Sequence, residues 1–387
     1  MKVKRESPQL TIYLNIQNKI MINTTNFVKY LYRKDIKFYC GVPDSCVNEF
    51  CNELNKHKKI KNIVTANEGS GVSLGIGYYL SKKKLACVYL QNSGIGNATD
   101  PLTNLSNKEV YKIPMILLIG WRGAPGIKDE AQHDVQGRIL TKLLKLYQIK
   151  YTEIKNDSDL PKISKLINYS KKKSRCVALL VKPKIFSKNK KNIKGNNQKK
   201  EILRKHLITS LLKNVSKKTK IITSVGFNSR ELYQIRKEKN FKNGKDFLMI
   251  GAMGHTSMVS IGISKHTNEN TICVDGDGSF IMHLGALTLV GDDKRKNFKY
   301  ILVDNESHES IGDQPISLKN INIKRLSQAL GFKKFFYTEK INKLDFLMKK
   351  FINSPGPSFY HIKIKTGTLP NLVRPKKFEE IKKRFMN

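Results

Sequence analysis

Short runs of continuous apolar residues punctuate the chain and alternate with stretches whose apolar positions recur at helical spacing. In the first half the runs are residues 38–42, 63–66, 86–91, 114–121 and 176–181, each rich in Val, Ile or Leu and most of them bounded by Gly, Pro or Asn. A strand that is apolar without alternation is one buried on both faces, as in a parallel sheet covered by helices. Helical patterns at 45–57 and 68–80 lie between these runs, which predicts repeated βαβ units. Periodicity is lost after residue 181, and the Lys- and Asn-rich stretch 184–200 is expected to be a linker. The pattern then resumes at 220–226, 271–278, 300–305 and 359–364. The fold expected is α/β, with two doubly wound parallel-sheet domains. In such open sheets ligands sit at the carboxyl ends of the strands.

Length agrees with this division, since 387 residues correspond to two or three domains at about 150 residues each. Charge complicates it: 72 Lys and Arg against 31 Asp and Glu leave a net +41, which ordinarily suggests a polyanion partner or a membrane surface. However, 60 of the 72 are Lys and only 12 Arg, and they run the length of the chain. Surfaces that grip phosphates or base edges also use the planar fork of Arg. A hydrophobic fraction of 39%, with 17 Phe and 15 Tyr, excludes wholesale disorder. Lysine runs at 171–173 and 188–200 read as solvated loops. The six cysteines form no CxxC pair and mostly lie inside apolar runs, as small core residues of a reduced, cytoplasmic protein would. No apolar run approaches the roughly 18 residues of a membrane span, and the charged start does not resemble a signal peptide. A soluble protein with no membrane partner is expected.

The chemistry concentrates at Val274-Asp275-Gly276-Asp277-Gly278-Ser279 and at a second strand end, Asp304-Asn305, with 26 residues between Gly278 and Asn305. Gly276 and Gly278 permit a sharp turn and close approach to an anion, and Asp277 offers a hard oxygen to Mg²⁺. Asn305 supplies a second oxygen. A metal-bridged diphosphate suits such a place at the start of a helix. Gly-Asp-Gly alone is commonly an ordinary turn, and the coupled Asn gives the pattern its force.

These residues resemble the cofactor motif of the thiamine diphosphate enzymes. The resemblance implies Mg²⁺ ligation by Asp277, Asn305 and the Ser307 carbonyl, with Asp304 standing where the family usually has a first Asn. Residues 63–71, Ile-Val-Thr-Ala-Asn-Glu-Gly-Ser-Gly, look like the family's glutamate motif in the pyrimidine-binding domain. By itself Glu68 would read as a surface residue suited to a helix N-terminus. The small residues Gly69, Ser70, Gly71 and Ser73 around it instead permit close approach of another body.

The likeness sharpens to the phosphonopyruvate decarboxylase family through Gly41-Val42-Pro43-Asp44-Ser45, Gln91 to Asn97, Gly120-Trp121-Arg122-Gly123, Lys128 to His133, Ser229 to Leu232, Gly251 to His255, and Asp304 to Ser310. It covers about residues 22–375. It implies a pyrimidine-binding domain at 21–183 and a diphosphate- and Mg-binding domain at 201–387 with no middle domain, and 1–20 is expected to be an N-terminal extension or the product of an upstream start. Its cofactor set is Glu68, Gly251, Met253, Gly276, Asp277, Gly278, Ser279 and Asn305, Met253 wedging the cofactor into a bent shape. Glu68, His133 and His308 are the expected catalytic residues, and Asp44, Ser45, Asn92, Arg122, Lys128 and Arg374 the expected contacts to a small anionic 2-oxo acid. His255 and Arg230 are further pocket candidates, while Trp121 reads as core. The implied activity is decarboxylation of 3-phosphonopyruvate to phosphonoacetaldehyde in phosphonate biosynthesis, by a homodimer or larger homo-oligomer with sites between subunits. A sulfopyruvate decarboxylase is the alternative within this chemistry. A basic nucleic-acid-binding protein on a decayed enzyme scaffold is the alternative of another class, and the joint presence of Glu68, Asp277 and Asn305 argues against it.

Overall fold

A computed structural model describes residues 21–187, 200–238, 241 and 244–387; the expected extension 1–20 and most of the expected linker, 188–199, lie outside the described residues. The chain divides after residue 192 into two compact units.

The first unit holds six parallel strands, β1 (Phe38–Gly41), β2 (Lys61–Val64), β3 (Ala86–Gln91), β4 (Ile116–Gly120), β5 (Lys150–Ile154) and β6 (Val177–Val181), in the order β2-β1-β3-β4-β6-β5. Its helices are α1 (Thr24–Arg33), α2 (Asn48–Leu54), α3 (Glu68–Lys82), α4 (Ile95–Pro101), α5 (Ala131–Leu146) and α6 (Leu160–Lys173). Side chains along β3 alternate between two cores. Cys87 and Tyr89 pack with Phe27, Phe50 and Ile167 on one face, and Ala86, Val88 and Leu90 with Val72, Ile76 and Leu140 on the other. Both faces are therefore covered, which is why the run reads as uniformly apolar. Deleting one such side chain to Ala costs about 2–5 kcal/mol.

Several boundaries differ from expectation. The helix expected at 45–57 is only α2, because Asp44 turns the preceding residues by accepting a hydrogen bond from the Cys46 N–H at 3.0 Å. Lys171, Lys172 and Lys173 form the last turn of α6, not a loop, where cations suit the helix dipole. Ile22 bridges Phe186, and Phe186 is buried in the core, so residues assigned to the linker pack on this unit.

The second unit has six parallel strands, β7 (Lys220–Thr223), β8 (Lys245–Leu248), β9 (Thr271–Gly276), β10 (Phe298–Asp304), β13 (Lys334–Thr338) and β14 (Ser358–Lys363), in the order β13-β14-β10-β9-β7-β8. A small antiparallel pair, β11 (Ser307–His308) and β12 (Gln314–Pro315), follows β10. Helices α7 (Arg204–Asn214), α8 (Phe227–Glu238), α13 (Ile341–Asn353) and α14 (Phe378–Met386) contribute to the core on one face, and α9 (Thr256–Lys265), α10 (Asp277–Met282), α11 (Leu289–Asp293) and α12 (Ile323–Ala329) to the core on the other. In each sheet the chain runs outward to one edge and then resumes on the other side of its first strand. The reversal falls between β1 and β3 and between β7 and β9, the position at which open α/β sheets bind their ligands.

Strands β5, β8 and β13 were not anticipated. All three are sheet edges, partly exposed, each beginning with Lys, and so lack the unbroken apolar run of a central strand.

Candidate active site

In the first unit, Glu68 opens α3 directly after β2 and is 6% exposed. The preceding Asn67 caps the helix by accepting from the Ser70 N–H at 2.8 Å. Asn97 of α4 donates its amide to Glu68 Oε2 at 2.8 Å. The other oxygen lies against Gly94, where a Cβ would stand 2.4 Å from Oε1. A backbone without a side chain is thus required at 94 for the carboxyl to occupy its place.

The expected substrate residues Asp44, Ser45, Asn92 and Arg122 gather at the ends of β1, β3 and β4. Arg122 donates from Nε and Nη2 to the two oxygens of Asp129 at 2.7 and 2.5 Å, and from Nη1 to Ser45 Oγ at 3.0 Å. Asp129 also accepts from the N–H groups of Gly123 and Glu130. Asn92 grips the Arg122 backbone in both directions, accepting from its N–H at 3.2 Å and donating to its carbonyl at 2.9 Å. Asp44 is buried, and burial pushes its carboxyl up from the ordinary range. His133, half-buried in the first turn of α5, is lowered by burial and by Arg122. Lys128 is exposed on the connecting loop. Trp121 belongs to the core, its indole donating to the Gly137 carbonyl at 2.9 Å.

In the second unit, Asp277 is 4% exposed at the junction of β9 and α10. Its Oδ1 accepts from the Gly278 N–H at 2.8 Å, and its Oδ2 accepts from those of Asn305 and Glu306 at 3.0 and 2.7 Å. Burial, joined by repulsion from Asp304, pushes this carboxyl well above the ordinary range, while those N–H groups pull it back. Asp304 is buried as well, but its bond to His361 at 2.7 Å, with Lys363 and Lys200 nearby, holds it low. A neighbouring cation would stabilise the charged Asp277. One carboxylate, one amide oxygen and a backbone carbonyl form a hard donor set that fits Mg²⁺. Among the described residues no group of three or more His, Cys, Asp or Glu gathers to hold a metal, so a site here rests on Asp277, Asn305 and backbone oxygen.

His308 is buried, and burial lowers it to about 4, so it is neutral at physiological pH. Among the described residues its Nε2 has no hydrogen-bond partner. A Cβ on Gly278 would stand 2.7 Å from His308 Cε1 and 3.0 Å from Met253 Cε, so these three expected residues converge. Ser279 Oγ accepts from the Gly254 N–H at 3.0 Å, tying the Gly251–Met253 loop to the start of α10. His255 is exposed and stacks on His283, and Arg230 donates to the Leu372 carbonyl. Arg374 lies exposed in the irregular segment after β14.

Asn97 and Asp129, together with Arg204, Asn228 and Glu309, which hydrogen-bond in a chain to the Asn305 amide, carry much of this geometry and were not singled out as site residues. Asn97, Asp129 and Glu309 stand inside the matched motifs, so a signal for them existed; Arg204 and Asn228 had none.

Residues 23–143 match the thiamine pyrophosphate enzyme N-terminal TPP binding domain, and residues 222–362 the thiamine pyrophosphate enzyme C-terminal TPP binding domain. The chain belongs to the thiamine pyrophosphate enzymes, as the resemblance and the two parallel sheets lead one to expect. It is 27% identical over 384 residues to a phosphonopyruvate decarboxylase of Streptomyces viridochromogenes, covering 92% of each chain. It is also 27% identical over 350 residues to a sulfopyruvate decarboxylase of Methanosarcina acetivorans, covering 84% of this chain and 87% of that one. A sulfopyruvate decarboxylase subunit alpha of Methanocaldococcus jannaschii is 32% identical over 148 residues, 38% of this chain and 85% of the relative. Among the described residues no helix is long and apolar enough to cross a membrane.

Proposed function

We propose that this chain is a thiamine diphosphate- and Mg²⁺-dependent decarboxylase that converts 3-phosphonopyruvate to phosphonoacetaldehyde and CO₂ in phosphonate biosynthesis of the 2-aminoethylphosphonate type. The observation that carries it is the presence in one chain of two prepared half-sites: a buried Glu68 anchored through one oxygen by Asn97, and a buried Asp277 set beside Asn305. Loss of CO₂ from a 2-oxo acid leaves an electron pair on an acyl carbon, which no side chain accommodates. Bound thiamine diphosphate supplies the electron sink.

The chain's own residues have the remaining tasks. Asp277, the Asn305 amide oxygen and the Ser307 carbonyl hold the cation, while Gly276, Gly278, Ser279 and Gly251 leave room for the diphosphate and Met253 supports the rings. Glu68 Oε1 is the atom through which a proton passes to and from the pyrimidine ring. His308 and His133, both lowered by burial, serve as neutral donors or acceptors near the reacting carbons. Ser45 and Arg122 receive the acidic end of the substrate, with Asp44 and Asn92 supporting their loops.

The first domain extends over 21–183, with Ile185 and Phe186 packed on it, and the second over 201–387, and Glu68 of one subunit serves Asp277 of another in a homodimer or larger oligomer. Support for the phosphonate comes from relatives named phosphonopyruvate decarboxylase that are matched over 92% and 94% of this chain. The second reading, a sulfopyruvate decarboxylase, is supported by equal identity over 84% of the chain. Incubating the purified protein with thiamine diphosphate, Mg²⁺ and each acid in turn, and following CO₂ release, decides between them. Release from sulfopyruvate alone would overturn the phosphonate assignment.

A further inference from the structure

A ring of hydrogen bonds joins Asp277 and Asn305 of the second unit through Ser224, Asn228, Arg204 and Glu309. Starting at the residue before Asp277, the Gly276 N–H donates to Ser224 Oγ at 3.1 Å. Asn228 Nδ2 donates to the same oxygen at 3.0 Å. Asn228 Oδ1 accepts from Arg204 Nε at 3.0 Å, and Arg204 Nη2 donates to Glu309 Oε2 at 2.6 Å. Glu309 Oε2 also accepts from Asn305 Nδ2 at 2.9 Å, and the Asn305 N–H closes the ring onto Asp277 Oδ2 at 3.0 Å. Arg204 and Glu309 are both buried to nine-tenths or more at the side chain.

Donor and acceptor identities leave the ring a single direction. A guanidinium only donates and a carboxylate only accepts. Arg204 therefore requires the oxygen of Asn228, which turns that residue's NH₂ to Ser224. Glu309 requires the NH₂ of Asn305, which turns the Asn305 oxygen away from Glu309. That oxygen accepts from the Ser307 N–H at 3.1 Å, which leaves the second of its two lone pairs for a cation. Without Glu309 the NH₂ end of the amide loses its acceptor, and only the Ser307 N–H would still favour the oxygen in its present place.

We propose that Arg204 and Glu309 are positioning residues that hold the Asn305 amide with its oxygen available to Mg²⁺. This rests on the reading of Asp277 and Asn305 as the site of a Mg²⁺-bound diphosphate. Outer partners of this kind typically change metal affinity by about 10–100-fold.

The test reads the rise in melting temperature of the full-length protein caused by thiamine diphosphate as a function of Mg²⁺ concentration, with no activity assay. Wild type should show Mg²⁺-dependent stabilisation and Asp277→Ala should abolish it; if either fails, the site reading itself fails. Glu309→Gln keeps size and one acceptor but cannot serve Arg204, Asn305 and the Gly367 N–H together, and should raise the half-saturating Mg²⁺ concentration about tenfold. Asn305→Asp sets a second carboxylate against Glu309, and should raise it about as much although a carboxylate is the stronger Mg²⁺ ligand. In Asn305→Asp/Glu309→Gln two carboxylates no longer face each other, so the double variant should bind Mg²⁺ more tightly than Asn305→Asp. Unchanged Mg²⁺ dependence in Glu309→Gln, tighter binding in Asn305→Asp than in wild type, or no recovery in a folded double variant would each overturn the positioning role while leaving the site reading intact.

Discussion

Gly94 and Glu68 are in such close apposition that any side chain at 94 would overlap the carboxyl, its Cβ falling 2.4 Å from Oε1 and 2.5 Å from Cδ. The turn after β3 thereby sets where the acid at the start of α3 lies. Gly94 has φ −73°, so alanine is free of backbone strain and its whole effect is this collision. Gly94→Ala should lower turnover by about tenfold or more, with a stability loss of about 1–3 kcal/mol from overpacking. Steady-state kinetics and a melting curve check it, and wild-type turnover would mean that the Glu68 carboxyl is not held where the structure has it.

Glu68→Gln retains a group that can accept from Asn97, so the variant should fold and bind the cofactor. Turnover should fall by about 10²–10⁴-fold, because an amide cannot carry the proton.

The proposed assembly makes a separate prediction from the same variant. Inactive Glu68→Gln mixed with inactive Asp277→Ala under subunit exchange should regain activity, since a fraction of mixed dimers holds one site with both residues intact. No recovery, with exchange demonstrated by labelled subunits, would place the whole site within one chain.

Asp129 satisfies four donors around Arg122, two of them on the guanidinium. Asp129→Asn must abandon some of them and release the arginine from its fork. The expected result is a KM for the acid substrate raised about tenfold with kcat less affected, since binding geometry and not proton transfer is disturbed. An unchanged KM would remove Arg122 from the substrate contacts.

Lys299 on β10 is 1% exposed and donates to the carbonyls of Phe351 and Ser354 at the end of α13. Burial lowers its ammonium to about 8 from 10.5. Between those values the unfolded chain holds a proton that the folded chain releases, so this group's contribution to stability rises with pH across that window. Chemical denaturation of wild type and Lys299→Met at pH 8 and pH 10 should show the difference shifting in favour of wild type at the higher pH. A pH-independent difference would show that Lys299 keeps its ordinary titration.

Central strands were legible because burial on both faces demands an unbroken apolar run, and β3, β4, β6 and β10 follow that rule. Edge strands such as Lys150–Ile154 and Lys334–Thr338 were not, because one side of each meets solvent and their composition matches that of a loop. The chemistry divides in the same way. Glu68 and Asp277 stand out because each sits in a short run of small residues at a strand end, and Asn305 because it ends the next apolar run at a fixed spacing from Gly278, signals that need no knowledge of the fold. Arg204 looks like any of 72 basic residues in a chain of net charge +41. Its partner Glu309 lies 105 residues away, and Asn228 lies 24 away. Only the strand order, which sets β7 beside β9 at the point where the sheet reverses, brings these groups into one buried ring. Hydrophobic period and motif spacing are properties of neighbouring residues, whereas the pairing of a buried charge depends on which distant segments the sheet makes adjacent.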